Sequence, residues 1–187
     1  NQLLLQVLEI SREELPLRLE EEAPPAVWER CLALAKRRSQ GYPLQYLLGQ
    51  WEFFGLPFWV GEGVLIPRQD TEVLVEEALA RLEGRTRPRV ADLCCGSGCV
   101  GLAIAYHRQD ARVALYDASE EALAYARRNR ELLGLASAEV TRWDICQPVQ
   151  RQFDMIVSNP PYIPAGELCS LPVEVLYEPR QALDGGE

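Results

Sequence analysis

Apolar positions along the chain change their period from segment to segment, and each change marks a different kind of element. Leu3, Leu4, Val7 and Leu8 recur at helical spacing, as do Trp28, Cys31, Leu32 and Ala35, which predicts short helices over residues 1–50. Pro24-Pro25 breaks the chain before the second helix, and Gly41 is placed to end it as a left-handed cap. Helices this short do not persist alone, so they must pack on one another or on a partner. Residues 51–67 read differently. Trp51, Phe53, Phe54, Phe58, Trp59, Val60, Val64, Leu65 and Ile66 are interleaved with glycine and proline, predicting a hairpin or two short strands that either line a pocket or, the simpler reading, join flanking domains. A helix then begins near Asp70 or Thr71, turns Leu74, Val75, Ala78, Leu79 and Leu82 inward, and stops at Gly84.

From Arg89 onward strand and helix patterns alternate. Strands are expected over 90–93, 112–116, 138–142 and 153–157. One helix follows Gly96-Ser97-Gly98 and runs to about Tyr106. Another is capped by Ser119, carries Glu120 and Glu121 against its dipole, and closes at Gly134. This order implies an α/β fold with a parallel sheet and right-handed crossovers. The chain therefore divides into a helical segment 1–50, a hairpin-like connector 51–69 and an α/β domain 70–187.

Composition narrows the possibilities. Among 187 residues, 48% are apolar and 25% charged, the balance of a folded protein, and no apolar run reaches the roughly 18 residues of a spanning helix. A net charge of −9 argues against a cationic face for nucleic-acid phosphates. The basic runs Lys36-Arg37-Arg38 and Arg127-Arg128 with Arg130 fall on helical patterns and read as solvated faces. Six cysteines form no CxxC pair, which suits reduced thiols in a cytoplasmic protein. Cys94, Cys95 and Cys99 lack zinc-ligand spacing, the sole histidine is His107, and no metal is expected. The chain begins at Asn1 rather than Met, which reads as a processed or trimmed start.

Gly96, Gly98 and Gly101 form G-x-G-x-x-G between a strand and a helix, with Asp117 about twenty residues on. Glycines there let a ligand approach the backbone, and an acid ending the second strand can accept from both hydroxyls of a ribose. This pattern fits any adenosine-type cofactor. Asp92, in D-L-x-x-G-x-G, adds an acid that could hold an amino-acid end, which favours S-adenosylmethionine over a nicotinamide. Asp144 ends the third strand and faces the same crevice, either to accept from an adenine amino group or to cap the following turn.

Asn159-Pro160-Pro161-Tyr162 directly follows the fourth strand. A planar amide or aromatic amine is a poor nucleophile because its lone pair is delocalised. Two acceptors gripping its two N–H groups would hold that lone pair toward a methyl donor. The Asn159 side-chain oxygen and the Pro160 carbonyl are such acceptors, Pro161 stiffens the loop, and Tyr162 can stack on the flat group.

Together Asp92-Leu93, Gly96-Ser97-Gly98, Asp117 and Asn159-Pro160-Pro161-Tyr162 resemble a class I S-adenosylmethionine-dependent methyltransferase acting on planar nitrogen. Arg38, Gly41, Pro43-Leu44-Gln45-Tyr46, Gly49, Phe53/Phe54-Gly55, Val64-Leu65-Ile66-Pro67-Arg68 and Thr71-Glu72 resemble one branch of it. So do Glu178-Pro179-Arg180 and Ala182-Leu183-Asp184-Gly185-Gly186. That branch is the HemK-type glutamine N5-methyltransferases, which modify the Gly-Gly-Gln glutamine of peptide-chain release factors in translation termination. The resemblance implies a Rossmann-like sheet and an N-terminal helical domain that docks the release factor. It implies cofactor contacts at Cys94, Cys95, Gly96, Ser97, Gly98, Asp117, Asp144 and Asn159, with S-adenosylhomocysteine as product. It also implies a catalytic and substrate-binding grip by Asn159, Pro160, Pro161 and Tyr162, in a monomeric enzyme with no nucleic acid or membrane partner. Two positions depart from the pattern: the family usually has Gly-Thr where this chain has Cys94-Cys95, and position 69 is Gln where proline is common. The family sheet continues beyond the Asp-Gly-Gly segment, so the 187 residues are expected to be a fragment whose fourth strand is an exposed edge. The readings set against this one are a DNA adenine-N6 methyltransferase, which needs the same two-acceptor grip, and a catalytically impaired binding protein of the same fold.

Overall fold

In the computed structural model, which describes residues 2–18, 20–148 and 151–187, the chain opens with helices α1 (Gln2–Leu8), α2 (Pro25–Ser39) and α3 (Leu44–Leu48). Asn1, where the trimmed start is read, lies outside the described residues. Gly41 takes φ +86° after α2, the left-handed conformation its position requires. The buried edge of α2 differs from expectation. Val27, Cys31, Leu34 and Arg38 are half-buried, whereas Trp28 and Leu32 are 59% and 51% exposed. Apolar residues span a wide arc of this helix, and periodicity does not choose which margin of the arc turns inward. Packing chooses: Leu34, with Leu3, meets Tyr42, Tyr46, Leu47 and Ile66. The basic run beside them is exposed but engaged, Arg37 lying 3.8 Å over the Tyr42 ring and Arg38 pairing with Glu174 at 2.6 Å.

The hairpin is β1 (Gln50–Phe53) against β2 (Leu56–Trp59), antiparallel. Its two turn residues, Phe54 and Gly55, both have positive φ, the geometry whose twist matches that of the flanking strands. Phe53 and Phe58 are fully buried and meet edge to face. A 3₁₀ turn, Gln69–Thr71, leads into α4 (Glu72–Arg81).

The α/β unit follows as β3 (Arg89–Leu93), α5 (Cys99–His107), β4 (Arg112–Asp117), α6 (Glu120–Leu132), β5 (Glu139–Arg142) and β6 (Met155–Ser158). The four strands are parallel in the order β5-β4-β3-β6. The last strand lies later than its pattern suggests because its register is set by β3, with Val90 opposite Met155 and Leu93 opposite Ser158. On its outer side β6 pairs with no strand among the described residues, and Ile156 is 57% exposed. Val90, Leu102, Ile104, Leu115 and Leu123 are fully buried at the centre. Helix α5 buries every residue from Cys99 to Ala105, and a Cβ on Gly101 would come within 2.9 Å of Asp92 Cβ. Glycine at that position is what lets the helix lie against β3. Asn129 of α6, wholly buried, joins two layers. Its Oδ1 accepts the Trp59 N–H at 2.6 Å, and its Nδ2 donates to the carbonyls of Trp59 (3.1 Å) and Ser97 (2.9 Å). A buried amide satisfied in this way fixes register at little desolvation cost.

After β6 the chain returns through 3₁₀ turns, and β7 (Ile163–Pro164) pairs with β8 (Asp184–Gly186). No helix among the described residues is long and apolar enough to cross a membrane.

Candidate functional site

Because β3, β4 and β6 run parallel, their carboxyl ends deliver the glycine loop, Asp117 and Asn159 to the same edge of the sheet. The loop leaves β3 through left-handed residues: Cys94 at φ +56°, Gly96 at +54° and Gly98 at +80°. The Gly98 N–H donates to the Cys95 carbonyl at 2.7 Å, and a Cβ on Gly98 would stand 2.9 Å from Leu115. Cys94 is the exception in this series. An L-residue with a side chain costs about 1 kcal/mol in this region where glycine pays no steric penalty. Its half-buried side chain also lines the cleft described below. The departure Cys94-Cys95 therefore has two physical consequences, backbone strain and a thiol on the cleft wall.

Asp117 organises the loop. One carboxylate oxygen accepts the Gly96 N–H at 2.8 Å and the other accepts the Ser119 N–H at 2.9 Å. Ser119 in turn caps α6 by accepting the Ala122 N–H at 3.2 Å. Each Asp117 oxygen keeps lone-pair capacity for a ligand hydroxyl. Asp144 caps the following turn, its Oδ1 accepting the Cys146 N–H at 2.9 Å, and the residue also lines the cleft.

The cleft holds about 190 Å³. Its far wall comes from Gly63, Val64 and Leu65, so this stretch lines a pocket as well as joining its neighbours. That stretch is held from behind, with Tyr46 donating to the Val64 carbonyl at 2.5 Å. Glu178, 5% exposed, accepts the Ile66 N–H at 2.9 Å and pairs with the Arg68 guanidinium. Neither wall nor brace is visible in the hydrophobic pattern; the one available signal is an apolar trio, Val64-Leu65-Ile66, too far past the hairpin turn to pair within it. Trp143 and Ile145 flank Asp144 and complete an apolar slot. Behind Cys94 a smaller chamber of about 40 Å³ reaches Asp92 and Ser97. The Ser97 Oγ is buried there without a hydrogen-bond partner among the described residues.

Asp92 lies on the small chamber and not on the large cleft. It is 1% exposed, and its Oδ2 accepts the Gly101 N–H in the first turn of α5 at 2.8 Å. Burial pushes its pKa from the usual 3.8 up to about 7, the Gly101 bond opposing this and the Asp117 charge adding to it. Between those values the folded chain keeps a proton that the unfolded chain has released. Stability from this group is therefore full below about pH 4 and is lost as pH rises through about 7. An Asp92→Asn variant should gain on the wild type as pH goes from about 5 to about 8, measured as the difference in urea midpoints. An unchanged difference across that range would show that Asp92 is ionised in the folded state throughout.

At the diproline corner the Ser158 hydroxyl donates to the Leu93 carbonyl at 2.8 Å and fixes the end of β6 to β3. Asn159 is half-buried and donates from Nδ2 to Thr71 Oγ1 at 3.5 Å, while its Oδ1 has no partner among the described residues. Pro160 is exposed, and Tyr162, at 76% exposed, is not a core residue. A second hollow of about 260 Å³ opens on this side, lined by Asp70, Thr71, Pro160 and Tyr162. Asn159 lines both the cleft and this hollow, so it stands where the two meet.

Residues 69–185 match the family model of the methyltransferase small domain, and residues 1–49 match that of the PrmC N-terminal domain. A release factor glutamine methyltransferase of Moorella thermoacetica is 47% identical over 180 residues, covering 95% of this chain and 63% of that protein. One from Geobacter sulfurreducens is 44% identical over 188 residues, covering 98% of this chain and 64% of that protein. The chain thus spans less than two thirds of the length of these curated relatives. Among solved structures, Trm5b from Pyrococcus abyssi shares the fold at a TM-score of 0.51 and 14% identity, covering 70% of this chain and 38% of that one.

Proposed function

The chain belongs to the methyltransferase small domain family, and we propose that it transfers a methyl group from S-adenosylmethionine to the side-chain amide nitrogen of the Gly-Gly-Gln glutamine in a peptide-chain release factor. The observation that carries this reading is the position of Asn159 between two hollows, its oxygen free and a diproline beside it. The names of its relatives and the match of residues 1–49 support the choice of substrate.

The residues of the cleft fit the donor. Asp117 has acceptor capacity for ribose hydroxyls, Trp143 and Ile145 offer a flat apolar slot, and Asp144 stands at its end. The unpartnered Ser97 Oγ gives the small chamber a polar group for an amino-acid end. When bound, S-adenosylmethionine supplies a methyl group on a sulfonium, which departs as a neutral thioether. The chain's own task is to orient the acceptor. Asn159 Oδ1 and the Pro160 carbonyl accept the two N–H groups of the glutamine amide and turn its lone pair toward the cleft. The nitrogen forms its new bond to carbon as the carbon–sulfur bond breaks, and one N–H proton passes to solvent. Orientation supplies much of the acceleration, and no strong base is required. In this reading residues 1–50 dock the release factor, 51–69 connect and wall the cleft, and 70–187 carry the chemistry. The protein works as a cytoplasmic monomer, which suits its unpaired cysteines.

The test is mass spectrometry of a release factor incubated with the full-length protein and S-adenosylmethionine. A gain of one methyl group on the Gly-Gly-Gln peptide, absent when that glutamine is replaced by glutamate, is expected. An unmodified factor together with methylated adenine in DNA would replace this reading with the other planar-nitrogen chemistry.

A further inference from the structure

We infer that Thr71 is a positioning residue, whose hydroxyl holds the Asn159 side-chain amide with its oxygen toward the acceptor nitrogen. This deepens the proposed methyl transfer and rests on it. The two ends of a carboxamide have nearly the same shape, so sterics alone does not choose between them. The chemistry does choose: an oxygen facing the substrate accepts its N–H, whereas a flipped NH₂ would set donor against donor. Productive binding therefore turns the nitrogen to the far side, where the Thr71 hydroxyl, able to donate or accept, holds it as an acceptor, its Oγ1 lying 3.5 Å from Nδ2. A bond of this length in the free enzyme has room to tighten when substrate engages the other end.

Thr71 is placed for this and not for a local duty. It occupies the N-cap position of α4, where threonine commonly accepts from the helix's own N–H groups, yet its side chain makes no capping bond. Its backbone, at φ −74° and ψ −15°, is already helical, which turns the hydroxyl away from that role. The backbone is secured independently: the Thr71 N–H donates to the Arg68 carbonyl at 3.0 Å, and the next residue, Glu72, accepts the Phe54 N–H at 2.8 Å. Thr71 and Asn159 also line the same two hollows, the small chamber behind Cys94 and the one in front of Tyr162. A residue 88 positions away thus meets the amide at the point where its orientation matters.

The test compares Thr71→Val, which keeps the shape and removes the hydroxyl, with Thr71→Ser, which restores the hydroxyl. In Thr71→Val, kcat on release factor should fall about tenfold, the worth of one hydrogen bond, while affinity for S-adenosylhomocysteine and Tm stay near wild type. Thr71→Ser should recover kcat to within about twofold. In an Asn159→Ala background, Thr71→Val should cost nothing further, since the two act through one contact. A second readout does not depend on the substrate: the Asn159 side-chain N–H resonances should exchange faster with solvent in Thr71→Val than in wild type or Thr71→Ser. Wild-type kcat in Thr71→Val, or equal losses of kcat, cofactor affinity and Tm that serine does not rescue, would overturn the assignment. A wild-type enzyme that leaves the release factor unmethylated would overturn the proposed function instead, and the exchange measurement would still decide the role of Thr71.

Discussion

Replacing Asn159 with alanine is expected to lower kcat about 10²- to 10³-fold while affinity for S-adenosylhomocysteine changes by no more than about threefold. The asymmetry follows from where the residue stands. Asn159 lines both hollows, so its removal opens the wall between them, but the ribose partner and the glycine loop are carried by other elements. What is lost is one of two fixed acceptors. The Pro160 carbonyl alone can hold one N–H of a planar amide and leaves the group free to rotate about that bond. Steady-state kinetics on the release factor together with calorimetry on the product cofactor separates the two effects. Asn159→Asp is an informative companion, since it keeps an oxygen toward the substrate but removes the Nδ2 donor to Thr71.

Asp117→Ala should show the opposite division, with cofactor affinity reduced about 100-fold and a smaller effect on kcat at saturating donor. Two contributions add here. In the proposed reading the carboxylate accepts from the ribose; it also takes the N–H of Gly96 and of Ser119, so the loop and the first turn of α6 lose their common anchor. Asp117→Asn restores the shape but sets an NH₂ against one of those two N–H donors, and it should recover only part of the affinity. Equal losses of cofactor affinity in Asn159→Ala and Asp117→Ala, by calorimetry under the same conditions, would contradict this division of labour.

The sequence displays the parts of this fold whose physics is local. The capping of α6 by Ser119 and the left-handed Gly41 follow from residue type and spacing, and both appear where expected. The parallel sheet follows from alternating patterns, whereas its order, β5-β4-β3-β6, is set by the pairing of β3 with both β4 and β6. The placement of Asp117 and Asn159 is legible as well, because one ends a strand and the other directly follows one, at the edge that faces the crevice. What the pattern hides is long-range. Glu178 reads as an ordinary charged residue until Ile66 and Arg68 are found beside it. Leu65 reads as connector until the cleft closes against it, and the burial of Asp92 under the first turn of α5 emerges only when Gly101 is found to donate to it. Trp28 and Leu32 mislead for the same reason, since only the neighbouring Tyr42–Ile66 cluster decides which margin of α2 is buried. Thr71 reads as a helix start and part of a family motif, but its contact with Asn159 does not show, because that partner lies 88 residues away.

The most direct trial of the account is a crystal structure of the enzyme with S-adenosylhomocysteine and a Gly-Gly-Gln peptide. The glutamine amide nitrogen should lie within about 3.2 Å of both Asn159 Oδ1 and the Pro160 carbonyl, with its open side toward the cofactor's sulfur. An amide held by other groups, or an Asn159 oxygen bonded within its own chain, would contradict it.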